Sequence, residues 1–403
     1  MSGEWQETTI GAQVRLQRGF DITKLTQSQG RIPVVSTAGV LSYHDTAMAK
    51  GPGVILGRKG NGIGRAHFIE EDYWPHDTTL WVTDFKGNDP KFVFYFFRQQ
   101  YARLQSMDVG SANPTLNRNH VHSIAVNWPP KVEQESIAAM LGALDDKIAL
   151  NRRMNATLEA MTRALFQSWF VEFDPVRAKL DRRPSIGIDT ATAALFPDCL
   201  EDSPFGHIPK GWMAGKLGDI STNSKRGVQP CDIAPNTPYI ALEHMPRRCI
   251  AIENWDDSAD VASGKSAFKK GEILFGKLRP YFHKVGVAPL DGVCSTDILV
   301  LAPKSPEWFG FLLGHASSDE LIQFTDLAST GTKMPRTNWN DICSFKVALP
   351  PKIIAAAYAR LIQPMLDRIH TNLHQNRALV TLRDALLPKL LSGELRPGSM
   401  NPA

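Results

Sequence analysis

The sequence repeats itself at an offset of 221 residues. The dipeptide Pro129-Pro130 recurs as Pro350-Pro351, and matching residues keep the same offset on both sides of it. The matched pairs include Asn117 with Asn338, Val126 with Val347, Ile148 with Ile369, and Leu165 with Leu386. A repeat of this length is far too long for one unit of a solenoid. It predicts a duplicated module in which a globular domain is followed by a long helix.

The composition is that of an ordinary folded protein. With 403 residues, 43% of them hydrophobic and 21% charged, the chain has room for two or three domains with separate cores. No stretch approaches the roughly 18 consecutive apolar residues of a membrane span. The first residues lack the basic and apolar regions of a signal peptide. We therefore expect a cytoplasmic protein without membrane contact.

Cysteine content and net charge restrict the partners only loosely. The five cysteines form no CxxC pair, which favours reduced thiols over disulfides or a zinc site. The formal net charge of +4 permits nucleic-acid binding but does not require it. If DNA is the ligand, partner subunits should supply part of the positive surface.

Two globular domains, here called the first head and the second head, are predicted at residues 1–128 and 207–349. In the first head the runs GVILGRKG (53–60), TTLWVTD (78–84) and FVFYFF (92–97) alternate with turn residues and are typical of strands. In the second head GEILFGKL (271–278) corresponds to the first of these runs. The offset grows from 207 near the start of the heads to 221 at their end, so insertions collect in loops of the second head.

Each head is followed by a long amphipathic helix, predicted at 129–170 and 350–395. Apolar residues recur every three or four positions, a heptad pattern, and the proline pairs mark the two helix starts. Pro364 should kink the second helix. Residues 171–206 lack sustained periodicity and read as a linker, and 396–403 form a tail. The sequence thus predicts an α+β fold: two similar, mainly β domains separated by two long antiparallel coiled-coil helices with pseudo-two-fold symmetry.

Polar residues interrupt the apolar stripe at matching steps of both helices. They are Asn151 and Asn155 in the first helix and Asn372 and Asn376 in the second. A buried asparagine lowers the stability of a coiled coil but fixes its register. An antiparallel pairing would bring the four amides together. The alternative is that these asparagines are simply solvated.

Signatures of catalysis are missing from the sequence. An amino-methyltransferase needs an Asp/Asn-Pro-Pro-aromatic loop, and neither NPTL (113–116) nor DPVR (174–177) provides it. The glycines between Gly57 and Gly64 fit neither phosphate-binding pattern, so a turn beside a basic surface is the better interpretation. His120 and His122 are close, but Asp341 replaces the first in the second head, which argues against a metal site. We expect no catalytic residue and no metal.

Basic and polar residues occupy two corresponding places in each head. One place follows the GVILG or GEILF run, and the other precedes the proline pair. Arginine and lysine suit guanine, asparagine suits adenine, and all of them can bind phosphate. For any single residue a solvated surface role is the alternative. The DNA-binding candidates are Arg58, Lys59, Asn61, Arg65, Asn113, Thr115, Asn117 and Arg118 in the first head, and Lys277, Arg279, Tyr281, Lys284, Lys333, Arg336, Asn338 and Trp339 in the second.

The order head, helix, head, helix resembles a specificity subunit of type I restriction–modification enzymes over nearly the whole length. Three phrases carry the resemblance. PPKVEQ (129–134) resembles the start of the central conserved helix of that family, LFQSWFVEFDP (165–175) resembles its end, and LLPKLLSGEL (386–395) resembles the C-terminal end. The chain departs from the pattern at Ile354 and Ala355, where a second Glu-Gln is expected, and at Pro364.

The resemblance implies a function. Each head would read one half of a split, asymmetric target in double-stranded DNA, and the helices would set the gap between the halves. Two modification subunits would carry the S-adenosylmethionine and the adenine-N6 chemistry, and restriction subunits would use ATP and Mg²⁺. The chain itself would bind no cofactor.

Apolar residues off the helical stripe exceed what a two-helix contact can bury, and under this interpretation they would dock the modification subunits. Alternatively, they close the helices against the heads. The candidates are Met140, Met154, Met161, Phe166, Trp169 and Phe170.

Two other classes of function stay open. A scaffold that holds two protein partners at a fixed spacing, without DNA, would have the same duplicated architecture. An enzyme in its own right, such as a fused methyltransferase or nuclease, is the third class, and the missing motifs argue against it.

Overall fold

The computed structural model describes residues 4–107, 115–185, 187–204, 206–258, 263–329 and 334–397. The chain divides into two compact units. Unit 1 is Met1–Lys147 with Ala378–Ala403, and unit 2 is Ile148–Arg377. The first head lies in unit 1 and the second head in unit 2, while each long helix contributes one part to each unit.

The first head is built on a four-stranded antiparallel sheet, as the β-type runs predict. The strand order is Arg15–Arg18, Thr79–Asp84, Gly53–Gly57, Ala66–Ile69. A second sheet orders Gly39–His44, Ile32–Ser36, Trp74–Pro75, and Gln6–Thr9 pairs with Ala125–Trp128. The fully buried strand Gly53–Gly57 carries the GVILG run into the core. The short helices of this head are Ile10–Gln13, Pro90–Gln99, Tyr101–Ser106 and Arg118–His122.

The FVFYFF run is a helix, so its prediction as a strand is wrong. It lies in Pro90–Gln99, where the Asp89 carboxylate accepts a hydrogen bond from Phe92 N at 2.7 Å and Pro90 takes the first turn. An N-cap followed by proline is a helix start signal. A wholly apolar run shows no period, so only these flanking residues could have distinguished the two structures.

The second head repeats the strand order of the first. Its four-stranded antiparallel sheet orders Ser221–Asn223, Ile298–Pro303, Ile273–Gly276, Val285–Val287, and Met213–Lys216 pairs with Lys346–Leu349. The other elements are the five-stranded sheet Gly227–Val228, Lys265–Phe268, Gly292–Cys294, Pro238–Ile240, Asp256–Asp257 and the helices Leu217–Ile220, Phe309–Ala316, Asp319–Ala328 and Trp339–Ser344. The predicted α+β fold with two similar domains is confirmed.

The segment predicted as a linker is part of unit 2. It contains the helices Asp174–Leu180 and Thr190–Ala194 and the hairpin Leu200–Ser203 with Gly206–Pro209. Phe173, Val176 and Phe196 are buried in the main core of that unit. The segment therefore contributes to the core of unit 2, although its sequence lacks a regular pattern.

The two long helices run from Lys131 to Phe166 and from Lys352 to Leu391. A π-helical turn, Gln167–Val171, follows the first. The second continues unbroken through Pro364, and the kink there stays a prediction. No helix in the described parts of the chain has both the length and the apolar character needed to cross a membrane.

In unit 2 the helices pair antiparallel through buried asparagines. Asn151 Nδ2 donates to Asn376 Oδ1 at 2.9 Å, and Asn372 Nδ2 donates to Asn155 Oδ1 at 2.8 Å. The sequence repeat equates Asn151 with Asn372 and Asn155 with Asn376, so the two pairs are equivalent by exchange of the helices. Burial without a partner would cost each amide free energy. The solvated alternative is excluded, while a role in fixing the register stays a prediction.

Further contacts along the helix pair differ between the units. In unit 2 the Tyr358 hydroxyl donates to Thr162 O at 3.0 Å. In unit 1 Arg383 Nη1 donates to Asp145 Oδ1 at 2.6 Å, and Leu387 and Leu390 join the core of the first head. By the repeat, Arg383 corresponds to Thr162. The two contacts share this repeat position but are not equivalent, because Thr162 takes part through its backbone carbonyl and Arg383 through its side chain.

Each head is fastened to the helices by its own polar contact. In unit 1 the buried Gln134 donates to Asn88 Oδ1 at 2.8 Å and accepts from Asp89 N at 3.0 Å. In unit 2 the buried Glu159 carboxylate accepts from Ile250 N at 3.0 Å and Ala251 N at 3.2 Å. The repeat places Ala355 and Val380 opposite Gln134 and Glu159, so neither contact is duplicated. The Gln134 amide stabilises unit 1 through these bonds. Ala355 stands at the corresponding position and cannot form them, so the departure from the repeat removes this contact from unit 2.

The asparagine pairs make a prediction about stability. Asn372→Ala should leave the Asn155 oxygen buried without its donor and lower the free energy of unfolding by about 1–3 kcal/mol. The double variant Asn155→Leu with Asn372→Leu replaces both amides by apolar groups. It should be at least as stable as the parent, because a buried polar pair favours register rather than stability. Urea denaturation measures the free energy of unfolding of both variants. A double variant that is less stable than Asn372→Ala would contradict the prediction.

Candidate nucleic-acid interface

The strand Gly53–Gly57 leads into a tight basic loop, here called the 57–65 loop. Gly57 N donates to Arg65 O at 2.8 Å, which closes the loop at its base. Ile63 N donates to Gly60 O at 3.1 Å inside it. Lys59, Asn61 and Arg65 are exposed on this loop, and Arg58 is half-buried. The loop presents three of the predicted candidates to solvent.

The second head contains the same loop, here called the 276–284 loop. Gly276 N donates to Lys284 O at 2.9 Å and Phe282 N donates to Arg279 O at 2.9 Å. These two bonds match those of the first head at a constant offset of 219 residues. The backbone frames are therefore equivalent, while the side chains they carry differ.

In the first head the two predicted clusters lie side by side. Leu116 N donates to Arg58 O at 2.9 Å, and Lys59 forms a β-bridge with Thr115. Residues more than fifty positions apart thus form one surface. Asn117 and Arg118 continue it and are exposed.

The second head brings its clusters together in the same way. Thr337 N donates to Lys277 O at 3.0 Å, and Leu278 forms a β-bridge with Arg336. Both contacts match those of the first head. The duplication has preserved the backbone contact that joins the two basic segments, so each head has one composite basic surface.

A single carboxylate organises the basic residues of the first head. Asp77 pairs with Arg18 at 3.0 Å, with Lys59 at 3.3 Å and with His76 at 3.0 Å. Partial burial acts to raise the pKa of Asp77, but Lys59, His76 and Arg18 hold that pKa below its usual range. Asp77 therefore stays ionised and partly neutralises the cations around it.

A groove of about 430 Å³ opens beside the 57–65 loop. The adjoining strand Gly39–His44 is an edge strand whose Val40, Leu41 and Tyr43 are exposed. Basic, amide and apolar groups are thus adjacent, the combination that reads base edges and thymine methyl groups in DNA. The residues lining the groove include Thr37, Leu41, Lys59, Asn61, Arg65 and His76.

In the second head a carboxylate again faces a candidate cation. Arg336 Nη2 lies 3.4 Å from Asp297 Oδ1. Tyr281 is exposed, and the Arg247 guanidinium carbon lies 4.0 Å from the centre of the Phe282 ring. This surface combines cations with aromatic rings, which suits stacking as well as phosphate contact.

Two candidates of the second head are engaged within the protein. The Lys284 ammonium donates to Leu242 O at 2.5 Å, and burial, reinforced by the charge of Arg247, lowers its pKa. Trp339 is half-buried and packs against the main core of unit 2. Both have structural contacts that account for their presence without DNA.

Asn117 and Asn338 cap the short helices that follow them. Asn117 Oδ1 accepts from Asn119 N at 2.9 Å, and Asn338 Oδ1 accepts from Asn340 N at 2.8 Å. Asparagine is a favoured N-cap, so each residue has a structural reason for its place. DNA binding by either stays a prediction. Asn113 and Lys333 lie outside the described residues.

Three predicted docking residues are enclosed in unit 2. Phe166, Trp169 and Phe170 are buried, and the rings of Trp169 and Phe170 lie 5.6 and 5.0 Å from the Tyr358 ring. The prediction that these three dock a partner is wrong, because their aromatic faces close the core of unit 2. Met140 and Met154 are half-buried, and Met161 is exposed.

Several residues of this surface were not predicted from the sequence. Asp77 and Asp297 each come just before equivalent strands. The loop offset of 219 maps Asp77 onto position 296, one residue before Asp297, so the repeat did not reveal this correspondence. The proximity of Arg18, His76 and Arg247 arises from tertiary packing. Among the described residues no group of three His, Cys, Asp or Glu is placed to hold a metal ion.

Comparisons with known proteins show what this chain is similar to. Residues 3–160 match the family model described as the type I restriction modification DNA specificity domain. The type I restriction enzyme MjaIX specificity subunit of Methanocaldococcus jannaschii is 25% identical over 320 residues, 76% of this chain and 69% of that protein. The type I restriction enzyme EcoDI specificity subunit of Escherichia coli is 24% identical over 416 aligned positions, 97% of this chain and 89% of that protein. Residues 3–160 thus match the specificity-domain model, and most of the chain is similar to type I restriction specificity subunits.

The fold agrees with this family. The crystal structure of the S subunit of a type I restriction–modification system from M. genitalium has a TM-score of 0.59 to this chain, at 14% identity and 96% coverage of both chains. At that identity the likeness shows the fold alone. The resemblance drawn from the sequence phrases is confirmed.

The cap of Asn338 can be separated from a DNA contact. Asn338→Ala should lower the free energy of unfolding by about 1 kcal/mol through loss of the cap. Asn338→Ser keeps an oxygen acceptor for the helix N–H groups and should be close to the parent in stability. Chemical denaturation measures both. If the serine variant nevertheless binds the target DNA more weakly than the parent, Asn338 also contacts DNA. Equal binding would mean that Asn338 acts only as the helix cap.

Proposed function

We propose that this chain is the DNA sequence-recognition subunit of a type I restriction–modification complex, and that each head reads one half of a split, asymmetric target. The match of residues 3–160 to the DNA specificity domain supports the coarser function, recognition of DNA sequence. The equivalent loops support the finer one. Two heads with the same backbone frame and different side chains suit two half-sites of different sequence.

The long helices would set the gap between the two half-sites. Each helix is continuous through both units, and the buried asparagine pairs resist sliding of one helix along the other. A protein that spaces two reading heads needs a connection of fixed length. These helices meet that requirement better than a flexible linker would.

The chain would act without catalytic residues of its own. The adenine-N6 methylation and its S-adenosylmethionine would belong to two modification subunits, and ATP with Mg²⁺ to restriction subunits. A methyltransferase must extrude its target base from the duplex to reach it. In this arrangement the specificity subunit brings the partner to the correct adenine.

Exposed apolar residues of the helices support two copies of one partner. Val132 is 75% exposed and its repeat counterpart Ile353 is 56% exposed. Met161 is 46% exposed and its counterpart Leu382 is 48% exposed. Val132 and Leu382 belong to unit 1, while Ile353 and Met161 belong to unit 2. Each unit thus carries a matching set, as a pair of identical partners would require.

The proposed function is tested by methylome sequencing. Cells that express the modification subunit with this chain should show N6-methyladenine in one split motif with a fixed gap. Cells with the modification subunit alone should not. The control is a folded, S-adenosylmethionine-binding modification subunit in both strains. Absence of any chain-dependent motif under that control would favour the DNA-free scaffold.

Partner docking is tested by a charge at each matching position. Val132→Asp and Ile353→Asp should each release one modification subunit, because a desolvated carboxylate is costly in an apolar contact. The double variant should release both. Native mass spectrometry counts the subunits, and Arg153→Asp, at an exposed polar position of the same helix, is the matched control. Retention of two partners by the double variant would refute this docking surface.

A further inference from the structure

The 57–65 and 276–284 loops share two left-handed backbone positions. In the first head both are glycines, Gly60 at φ +74° and Gly64 at φ +77°. In the second head the equivalent positions hold Arg279 and His283, both at φ +51°. Glycine reaches this region freely, whereas a residue with a Cβ is strained there. The second head therefore keeps two strained residues in a frame that glycine could occupy.

His283 has a structural reason for its place. Its ring is buried and Nε2 lies 3.0 Å from Ser317 O, while Nδ1, 3.3 Å from Asp319 Oδ1, has no hydrogen-bond partner in the described part of the chain. In the first head the corresponding space is closed, because a Cβ on Gly64 would lie 2.8 Å from Leu104 Cβ. The imidazole thus fills and bonds a site inside unit 2, which offsets the backbone strain.

The side chain of Arg279 has no comparable contact with the described residues. A Cβ on its counterpart Gly60 would meet no atom within 4 Å, so this position opens outward in the first head. Arg279 is half-buried, and its Nε is buried without a hydrogen-bond partner in the described part of the chain. Its guanidinium carbon is 5.8 Å from the centre of the Phe282 ring, at the outer limit of a cation–π contact, and Arg247 already lies over that ring at 4.0 Å.

The neighbouring cations differ from Arg279 because each forms a hydrogen bond or an ion pair within the protein. Lys284 donates to the carbonyl of Leu242, and Arg336 pairs with Asp297. The backbone of Arg279 is held firmly, since Arg279 N donates to Pro335 O at 2.8 Å and Phe282 N to Arg279 O at 2.9 Å. A fixed backbone, a strained residue and a guanidinium that no described residue hydrogen-bonds are features of a side chain positioned for a ligand.

We propose that Arg279 is a base-reading side chain of the second head and donates two N–H groups to O6 and N7 of a guanine in its half-site. This inference rests on the proposed function. The planar guanidinium matches the two acceptors of guanine in the major groove. The first head has glycine at this position and makes no such contact there. The loop thus gives the two heads different specificities on one backbone frame.

The test compares variants of the intact complex of this chain with its modification subunits. Arg279→Gly removes the side chain and the strain together. Methylome sequencing should then show one G·C position relaxed in one half-site, with the other half-site and the gap unchanged. Binding to a duplex carrying the parent motif should fall roughly ten- to hundred-fold. The melting temperature should not decrease.

Two further variants separate reading from folding. Arg279→Ala should relax the same base pair but melt below Arg279→Gly, because alanine keeps the left-handed strain. His283→Gly relieves strain at the other position but removes a buried ring, so it should lower the melting temperature and leave the motif unchanged.

The outcomes are distinct. An unchanged motif in Arg279→Gly overturns the inference and leaves the proposed function intact, and a relaxed A·T position overturns the guanine contact. If the parent chain directs no methylation at all, the proposed function fails and this inference fails with it.

Discussion

The exchange of amide hydrogen bonds between the two long helices is the contact on which the rest of the architecture depends. Asn151 pairs with Asn376, and Asn155 pairs with Asn372, inside an otherwise apolar contact. A shift of either helix by one heptad would separate both amide pairs. We therefore expect the two helices to favour one register.

Duplication has preserved backbone contacts more strictly than side chains. The bonds that close the two loops, and the bonds that join each loop to the segment before the short helix, occur at equivalent positions in both heads. Side-chain contacts have diverged, because the repeat has Ala355 and Val380 at the positions that correspond to Gln134 and Glu159. A frame held by backbone hydrogen bonds tolerates changes of its exposed side chains. That is the physical requirement for a module that must read different sequences on one fold.

The sequence predicted the parts that follow a period or the repeat. Residue spacing alone predicts the strands Gly53–Gly57 and Ile273–Gly276 and both long helices. It also predicts that the four asparagines lie close together. The helix Pro90–Gln99 was mistaken for a strand because an unbroken apolar run has no period. Phe166, Trp169 and Phe170 were assigned to a partner because spacing cannot show that unit 2 encloses them. Asp77 and Asp297 were missed because ion pairs between distant segments leave no local pattern.

Under the proposed function, the two carboxylates would help a basic surface to remain selective. An unpaired cation attracts phosphate in any sequence equally, so each added lysine or arginine raises non-specific affinity along with specific affinity. Asp77 holds Arg18 and Lys59, and Asp297 holds Arg336, which offsets part of that attraction. In the proposed interface, a base edge that meets the held cation in the correct geometry would recover the interaction, whereas a phosphate approaching at random would compete with the carboxylate. Selectivity would arise from this difference between affinities, and it is compatible with a net charge of only +4.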